Sequence, residues 1–145
     1  MSKLLNLQVS NIASKEIASG SLVNLGSVVR KYCKPTPCCV PTFSYTNNSN
    51  SITLNASGYY KIDFNSTFTG QAVGVGTISM YVNGLPLPQA TASQSIATAN
   101  TEVRNISFST IVRVLPNAPL TISFVNTSTI ALDLQLSNVV ITKIC

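Results

Sequence analysis

The groups able to do acid, base or nucleophilic chemistry in this chain are few and scattered. The carboxylates are Glu16, Asp63, Glu102 and Asp133, the thiols are Cys33, Cys38, Cys39 and Cys145, and there is no histidine. Without an imidazole, a Ser-His-Asp triad, a Cys-His pair, a His-ligated zinc site and a histidine pH switch are all excluded. Asp63 and Asp133 could be imagined as a glycosidase pair, but Asp63 alternates with Lys61 on the polar side of a strand, which marks a surface charge. Gly70, Gly74 and Gly76 fall between strands with no helix following, so they do not form a phosphate-cradling loop. Asn-x-Ser/Thr acceptors occur at Asn47, Asn55, Asn65, Asn105 and Asn126, close to the chance number in a chain so rich in Asn, Ser and Thr.

The thiols support little metal chemistry. Cys33, Cys38 and Cys39 share the segment Lys31-Tyr-Cys-Lys-Pro-Thr-Pro-Cys-Cys-Val-Pro, and without histidine they make an incomplete set for a structural zinc, which wants four ligands. No metal or other cofactor is expected. A small loop closed between Cys33 and Cys38 or Cys39 outside the reducing cytosol, and four free thiols inside it, are both compatible with the spacing.

Only 9% of the 145 residues are charged, against about 25% in an ordinary soluble domain. Ser, Thr and Asn must therefore supply most of the polar surface. The net charge of +5 is uneven: Lys3, Lys15, Arg30, Lys31 and Lys34 against Glu16 leave +4 over residues 1 to 34. That imbalance suits a segment touching an acidic surface. It lacks a basic run and interleaved aromatics, so no nucleic acid is expected. The apolar residues after Lys3 are interrupted by Asn6, Gln8 and Ser10, which predicts no signal peptide, and no stretch approaches the roughly 18 apolar residues of a membrane span. The expectation is a protein made in a cytoplasm and not embedded in a membrane.

The elements that must position these groups are strands. From Ser51 onward apolar residues recur with period two, most clearly as Tyr60, Ile62, Phe64, Ser66 and Phe68 on one face, with Tyr59, Lys61, Asp63, Asn65 and Thr67 on the other. The run from Val75 to Val82 ends in Asn83-Gly84, a pair suited to a tight reversal. Leu85-Pro-Leu-Pro88 reads as a stiff connection, and residues 89 to 101 as a weak strand and a loop. Alternation returns at Arg104, Ile106, Phe108, Thr110, Val112 and Val114, is broken between Pro116 and Pro119, and resumes at Leu120, Ile122 and Phe124. After a turn at 126 to 129, Ile130, Leu132, Leu134 and Leu136 form another face, and Ser137-Asn138 turns into Val139 to Ile144. Residues 20 to 29 read as a strand and 30 to 41 as a loop; the first 18 fit a short helix, a strand or an ordered arm. Short strands at this spacing predict an all-β sandwich or barrel, in one domain.

Gly20-Ser-Leu-Val-Asn-Leu-Gly-Ser-Val-Val-Arg30, Asn55-Ala-Ser-Gly-Tyr-Tyr-Lys-Ile-Asp-Phe64, Val82-Asn-Gly84 and Asn138-Val-Val-Ile-Thr-Lys-Ile144 together resemble the tumour-necrosis-factor-like jelly roll. The similarity is greatest to the compact versions carried by phages and prophages of Gram-positive bacteria and to the heads of spore-surface filaments. It covers residues 20 to 145 and leaves residues 1 to 19 as an N-terminal arm. The resemblance implies an antiparallel jelly-roll β-sandwich of ten strands, assembled as a homotrimer about a threefold axis, with Tyr59 and Tyr81, outside the core, as trimer contacts. It also sets the last strand beside the first, so that Cys145 lies near Gly20 and far from Cys33, Cys38 and Cys39, with no bridge between Cys145 and those three.

Taken with the basic front segment and the missing catalytic groups, the resemblance implies a structural virion protein, not an enzyme: a trimeric decoration protein on the outer surface of a phage capsid, bound to the major capsid protein. Lys3, Leu4, Leu5, Leu7, Lys15, Arg30, Lys31 and Lys34 are the expected capsid contacts. The alternative is a receptor- or glycan-binding tip of a phage fibre or spore-surface filament.

Overall fold

The structure, a computed structural model, describes residues 5 to 32 and 42 to 145. Among these residues there are eleven strands and no helix: β1 (Asn6–Asn11), β2 (Lys15–Ile17), β3 (Ser27–Tyr32), β4 (Phe43–Ser44), β5 (Ser51–Leu54), β6 (Gly58–Gly70), β7 (Gly74–Val82), β8 (Leu85–Ile96), β9 (Val103–Val114), β10 (Leu120–Asn126) and β11 (Leu132–Lys143). They form two antiparallel sheets. The first runs β3-β1-β11-β6-β9, with β2 also beside β11, and the second runs β4-β5-β10-β7-β8.

Alternation explains why the sheets close on each other. The inward positions of β6, namely Tyr60, Ile62, Phe64, Ser66 and Phe68, are all buried, as are Ile122 and Phe124 on β10 and Ile78 and Met80 on β7. Phe64 of the first sheet stacks on Phe124 of the second with centroids 4.4 Å apart and planes at 16°, and Phe108 of β9 lies 5.2 Å from Phe64. Near the chain termini, Phe43 meets Tyr60 edge-on at 5.9 Å, and the Tyr60 hydroxyl donates to the Ala56 carbonyl at 2.6 Å. Each such side chain taken from water contributes about 1.5 to 3 kcal/mol.

Turn chemistry completes the frame. Asn83 and Gly84 both have positive φ, 51° and 79°, as a two-residue reversal between β7 and β8 requires. The same Asn83 fastens that turn to β10, donating its N–H to the Thr121 carbonyl at 2.8 Å and accepting the Thr121 N–H on Oδ1 at 2.8 Å. At Gly26, with φ 79°, a Cβ would strike the Ser10 carbonyl oxygen and Asn11. Nearby, the Tyr45 hydroxyl donates to the Gly26 carbonyl at 2.5 Å, and burial raises its pKa above the usual phenol value.

Several expectations need correction. The described part of residues 1 to 19 is no separate arm: β1 pairs with β11 from Asn6↔Thr142 to Asn11↔Ser137, and β2 continues on β11 at Leu132 to Leu134. Leu7 and Val9 are core residues, and their alternation with Asn6, Gln8 and Ser10 is a strand pattern too short to stand out by itself. The strand expected over residues 20 to 29 begins only at Ser27; before it, Gly20 and Val23 donate their N–H groups to the Asn126 and Phe124 carbonyls. Residues 85 to 96 are one strand, with both Pro86 and Pro88 on the sheet's edge strand, where ladder donors are not needed.

No turn interrupts β11 at Ser137-Asn138. A register shift between Leu134 and Leu136 puts Leu136 on the outside and Ser137 inside, 2% exposed. Finally, β11 is flanked by β1 and β6, so Cys145 lies by Gly58 and Tyr59, whose N–H donates to its carbonyl at 3.2 Å. Gly20 is at the opposite end, and Tyr32 shares the Cys145 end through Tyr32↔Asn6↔Thr142. The geometric ground for separating Cys145 from the other cysteines is therefore removed. Cys33, Cys38 and Cys39 themselves lie outside the described residues.

Candidate interaction surface

The outer face of the first sheet is laid out in rows by the strand registers. One row is Tyr32, Asn6, Thr142, Lys61 and Ile111; the next is Arg30, Gln8, Val140, Asp63 and Ser109. Beside Lys61 and Asp63, the middle of the face is a lattice of amides and hydroxyls. Gln8 Nε2 donates to Asn138 Oδ1 at 3.0 Å, and Asn105 Nδ2 donates to Asn65 Oδ1 at 2.9 Å and to Thr67 Oγ1 at 3.1 Å. These are the residues by which a chain poor in charge solvates its strands.

Two features stand out from that lattice. At the terminal end of the β6/β9 half, Tyr59, Ile111, Leu115 and Ile144 are all exposed, Tyr59 by 42% and Ile111 by 56%. Arg113 lies over the Tyr59 ring at 5.7 Å. Ile111 and Arg113 share the outward phase of β9, Leu115 follows the strand's last residue, and the Ile144 N–H donates to the Tyr59 carbonyl at 2.8 Å, so these apolar groups lie at one end of the face. On the β3 side, a depression of about 620 Å³ is lined by Asn6, Gln8, Arg30, Lys31, Tyr32, Val140 and Thr142.

The expected contact residues are not gathered in one place. Leu7 is 1% exposed and belongs to the core, and Leu5 packs against that core. Inward alternation on β1 commits Leu7 to the sandwich, and Leu5, just before β1, is half-buried against the same core. Lys15, Arg30 and Lys31 are exposed, but Lys15 pairs with Leu134 while Gln8, beside Arg30, pairs with Val140. Six residues along β11 separate those positions, about 20 Å. Lys3, Leu4 and Lys34 lie outside the described residues. Tyr59 and Tyr81 are on strands of different sheets, each on its sheet's outer side, so within one chain they belong to two separate surfaces. The apolar patch was signalled by Ile111, which breaks the polar outward phase of β9 between Ser109 and Arg113.

Glu16 of β2 stands opposite Asp133 of β11, while Asp63, the partner weighed for Asp133 in the sequence, lies elsewhere on the sheet. Asp63 lies 3.9 Å from Lys61, and Asp133 accepts from Gln71 at 3.0 Å. Asp133 is opposite Thr69, six residues along β6 from Asp63, which separates the two by about 20 Å, well beyond glycosidase spacing. Glu102 is structural: its carboxylate accepts the Thr98 and Ala97 N–H groups and meets the Arg104 guanidinium. Those bonds, the backbone amides first, hold its pKa below the ordinary glutamate value. Asn126 is also structural. Fully buried, it donates Nδ2 to the Ile17 and Ile130 carbonyls at 2.9 and 3.0 Å and accepts the Ser128 N–H at 3.1 Å, which rules out glycan attachment to the folded chain.

No protein-family model and no curated protein sequence matches the chain. Solved structures do match its fold. Murine APRIL superposes with a TM-score of 0.68 at 8% identity, covering 98% of this chain and all of that one. Eiger TNF from S. frugiperda gives 0.67 at 10% identity over 99% and 94% of the two chains. PRD1 vertex protein P5 gives 0.59 at 17% identity over 97% of each. The chain is thus similar over its length to tumour-necrosis-factor-like jelly rolls, and its two antiparallel sheets are that fold.

Proposed function

We propose that this chain is a non-catalytic structural protein of a virion, a homotrimer that decorates the outer surface of a phage capsid by binding the major capsid protein. The observation that carries the virion reading is the end-to-end likeness to a phage vertex protein. Self-association is supported by the patch of Tyr59, Ile111, Leu115 and Ile144, since exposed apolar clusters rimmed by polar groups mark interfaces and Tyr is enriched there. Capsid attachment falls to the break between β1 and β2, where Ile12 is 82% exposed and Lys15 adds a cation. Three copies of a modest contact, engaged together on a lattice of matching symmetry, multiply into firm attachment.

The test is co-sedimentation of the purified chain with capsids stripped of it. Saturable binding, weakened at least about tenfold by the double substitution Ile12→Asp and Lys15→Glu, is expected. Binding that the double variant leaves unchanged contradicts the attachment site, and no binding by the intact chain contradicts the decoration reading.

A further inference from the structure

We propose that the depression over β1 is a binding site for a carboxylated sugar. Its floor is Asn6 and Gln8, with Tyr32 and Arg30 of β3 in register on one side and Thr142 and Val140 of β11 on the other. The two walls stand two strand spacings apart, about 10 Å, wide enough for a pyranose ring. The volume of about 620 Å³ falls within the range of small-ligand sites.

Charge selects an anion. Arg30 and Lys31 are exposed, and among the described residues no carboxylate pairs with either. The acid in Arg30's own row, Asp63, is three strands away, about 14 Å, and has Lys61 beside it. The planar fork of a guanidinium matches a carboxylate through two parallel hydrogen bonds. The remaining lining selects a sugar. Gln8 is oriented by its bond to Asn138, Asn6 and Thr142 supply donors and acceptors for ring hydroxyls, and Tyr32 with Val140 offers apolar surface to the ring's C–H face. Arg30 shares the outward phase of Asn6 and Gln8, whereas Lys31 alternates to the side of Leu7, and one guanidinium is too few to track a nucleic-acid backbone, whose affinity grows with the number of neutralised phosphates. The site occupies the β3 half of the face and does not depend on the capsid reading.

The experiment is calorimetric titration of the full chain with 3′-sialyllactose and with digalacturonate, using lactose and inorganic phosphate as controls. At least one acidic saccharide is expected to bind with a Kd in the millimolar range or tighter, with lactose at least about tenfold weaker and phosphate unable to displace the sugar at equal concentration. Arg30→Gln should lose at least about tenfold, Arg30→Lys should recover part of it, and Arg113→Gln, on the other half of the face, should bind as the parent does. Circular dichroism establishes that each variant is folded. No binding of either acidic saccharide, equal binding of lactose, equal competition by phosphate, or equal losses in Arg30→Gln and Arg113→Gln would each overturn the assignment.

Discussion

Replacing Asn126 by alanine tests whether the buried polar clamp at the end of the sandwich away from the chain termini holds it shut. The amide joins three segments: Nδ2 reaches the Ile17 carbonyl of β2 and the Ile130 carbonyl, while Oδ1 takes the Ser128 N–H and hydroxyl. With the side chain gone, the Ser128 N–H and the Ile17 carbonyl lose these partners where water does not reach, and each buried group so left costs about 1 to 3 kcal/mol. The Ile130 carbonyl keeps the Ser128 hydroxyl at 3.3 Å and adds less. The expected loss is about 3 to 5 kcal/mol, or roughly 10 °C in Tm for a chain of this size. Asn105→Ala is the matched control. It also removes two amide bonds, but on an exposed face where water replaces them, and should cost less than about 0.5 kcal/mol. Urea unfolding followed by circular dichroism, at one protein concentration, reads both. Asn126→Ala within about 1 kcal/mol of the parent, or no worse than Asn105→Ala, would refute the clamp.

Other outcomes follow from the same geometry. Light scattering should give a mass of about 46 kDa, three times the 15.4 kDa chain, and Ile111→Asp should reduce it to a single chain's mass; a parent that runs as a monomer contradicts the trimer. Gly26→Ala should cost about 3 kcal/mol or more, because positive φ and the Ser10 carbonyl both oppose a Cβ, whereas Gly84→Ala, at the same φ with open space around it, should cost about 1 kcal/mol; equal losses contradict the steric argument. Because the folded pKa of Glu102 is lowered, its contribution is present above the unfolded value of about 4.3 and fades as pH falls through the folded one. The Ala97 and Thr98 amide resonances should therefore hold steady from about pH 8 to 5 and titrate with a midpoint below about 4.3, an effect lost in Glu102→Gln; a midpoint at or above 4.3 contradicts the clamp.

The long strands were legible because their burial is one-sided. β9 and most of β6 alternate cleanly, β10 does so as far as Phe124, and Asn83-Gly84 can hardly do other than reverse the chain. What escaped depends on tertiary context. The six residues of β1 include two inward apolar side chains, Leu7 and Val9, and pairing with β11 on one side and β3 on the other makes a strand of the segment. Only Ser27 to Val29 of β3 falls within the strand expected over residues 20 to 29; its Arg30 to Tyr32 half reads as loop, because β3 is exposed along its entire length and an edge strand bearing Arg and Lys looks like a loop in sequence. The phase change in β11 is equally invisible, since Leu136 continues the series Leu132, Leu134 while the register shift carries it to the other face. Of the interaction surface, Tyr59 was apparent as an aromatic outside the core. The depression over β1 was not, because Arg30, Gln8 and Val140 come from three strands far apart in the chain.

The central claim is that this sandwich is a trimeric attachment protein on the outside of a capsid. A density map of the native particle from its source tests that most directly. It should show three copies of the two-sheet sandwich around a threefold or quasi-threefold position on the outer capsid surface, with the Tyr59, Ile111, Leu115 and Ile144 patch between copies. Density for the chain inside the shell, on a tail fibre as single copies, or absent from the particle would contradict it.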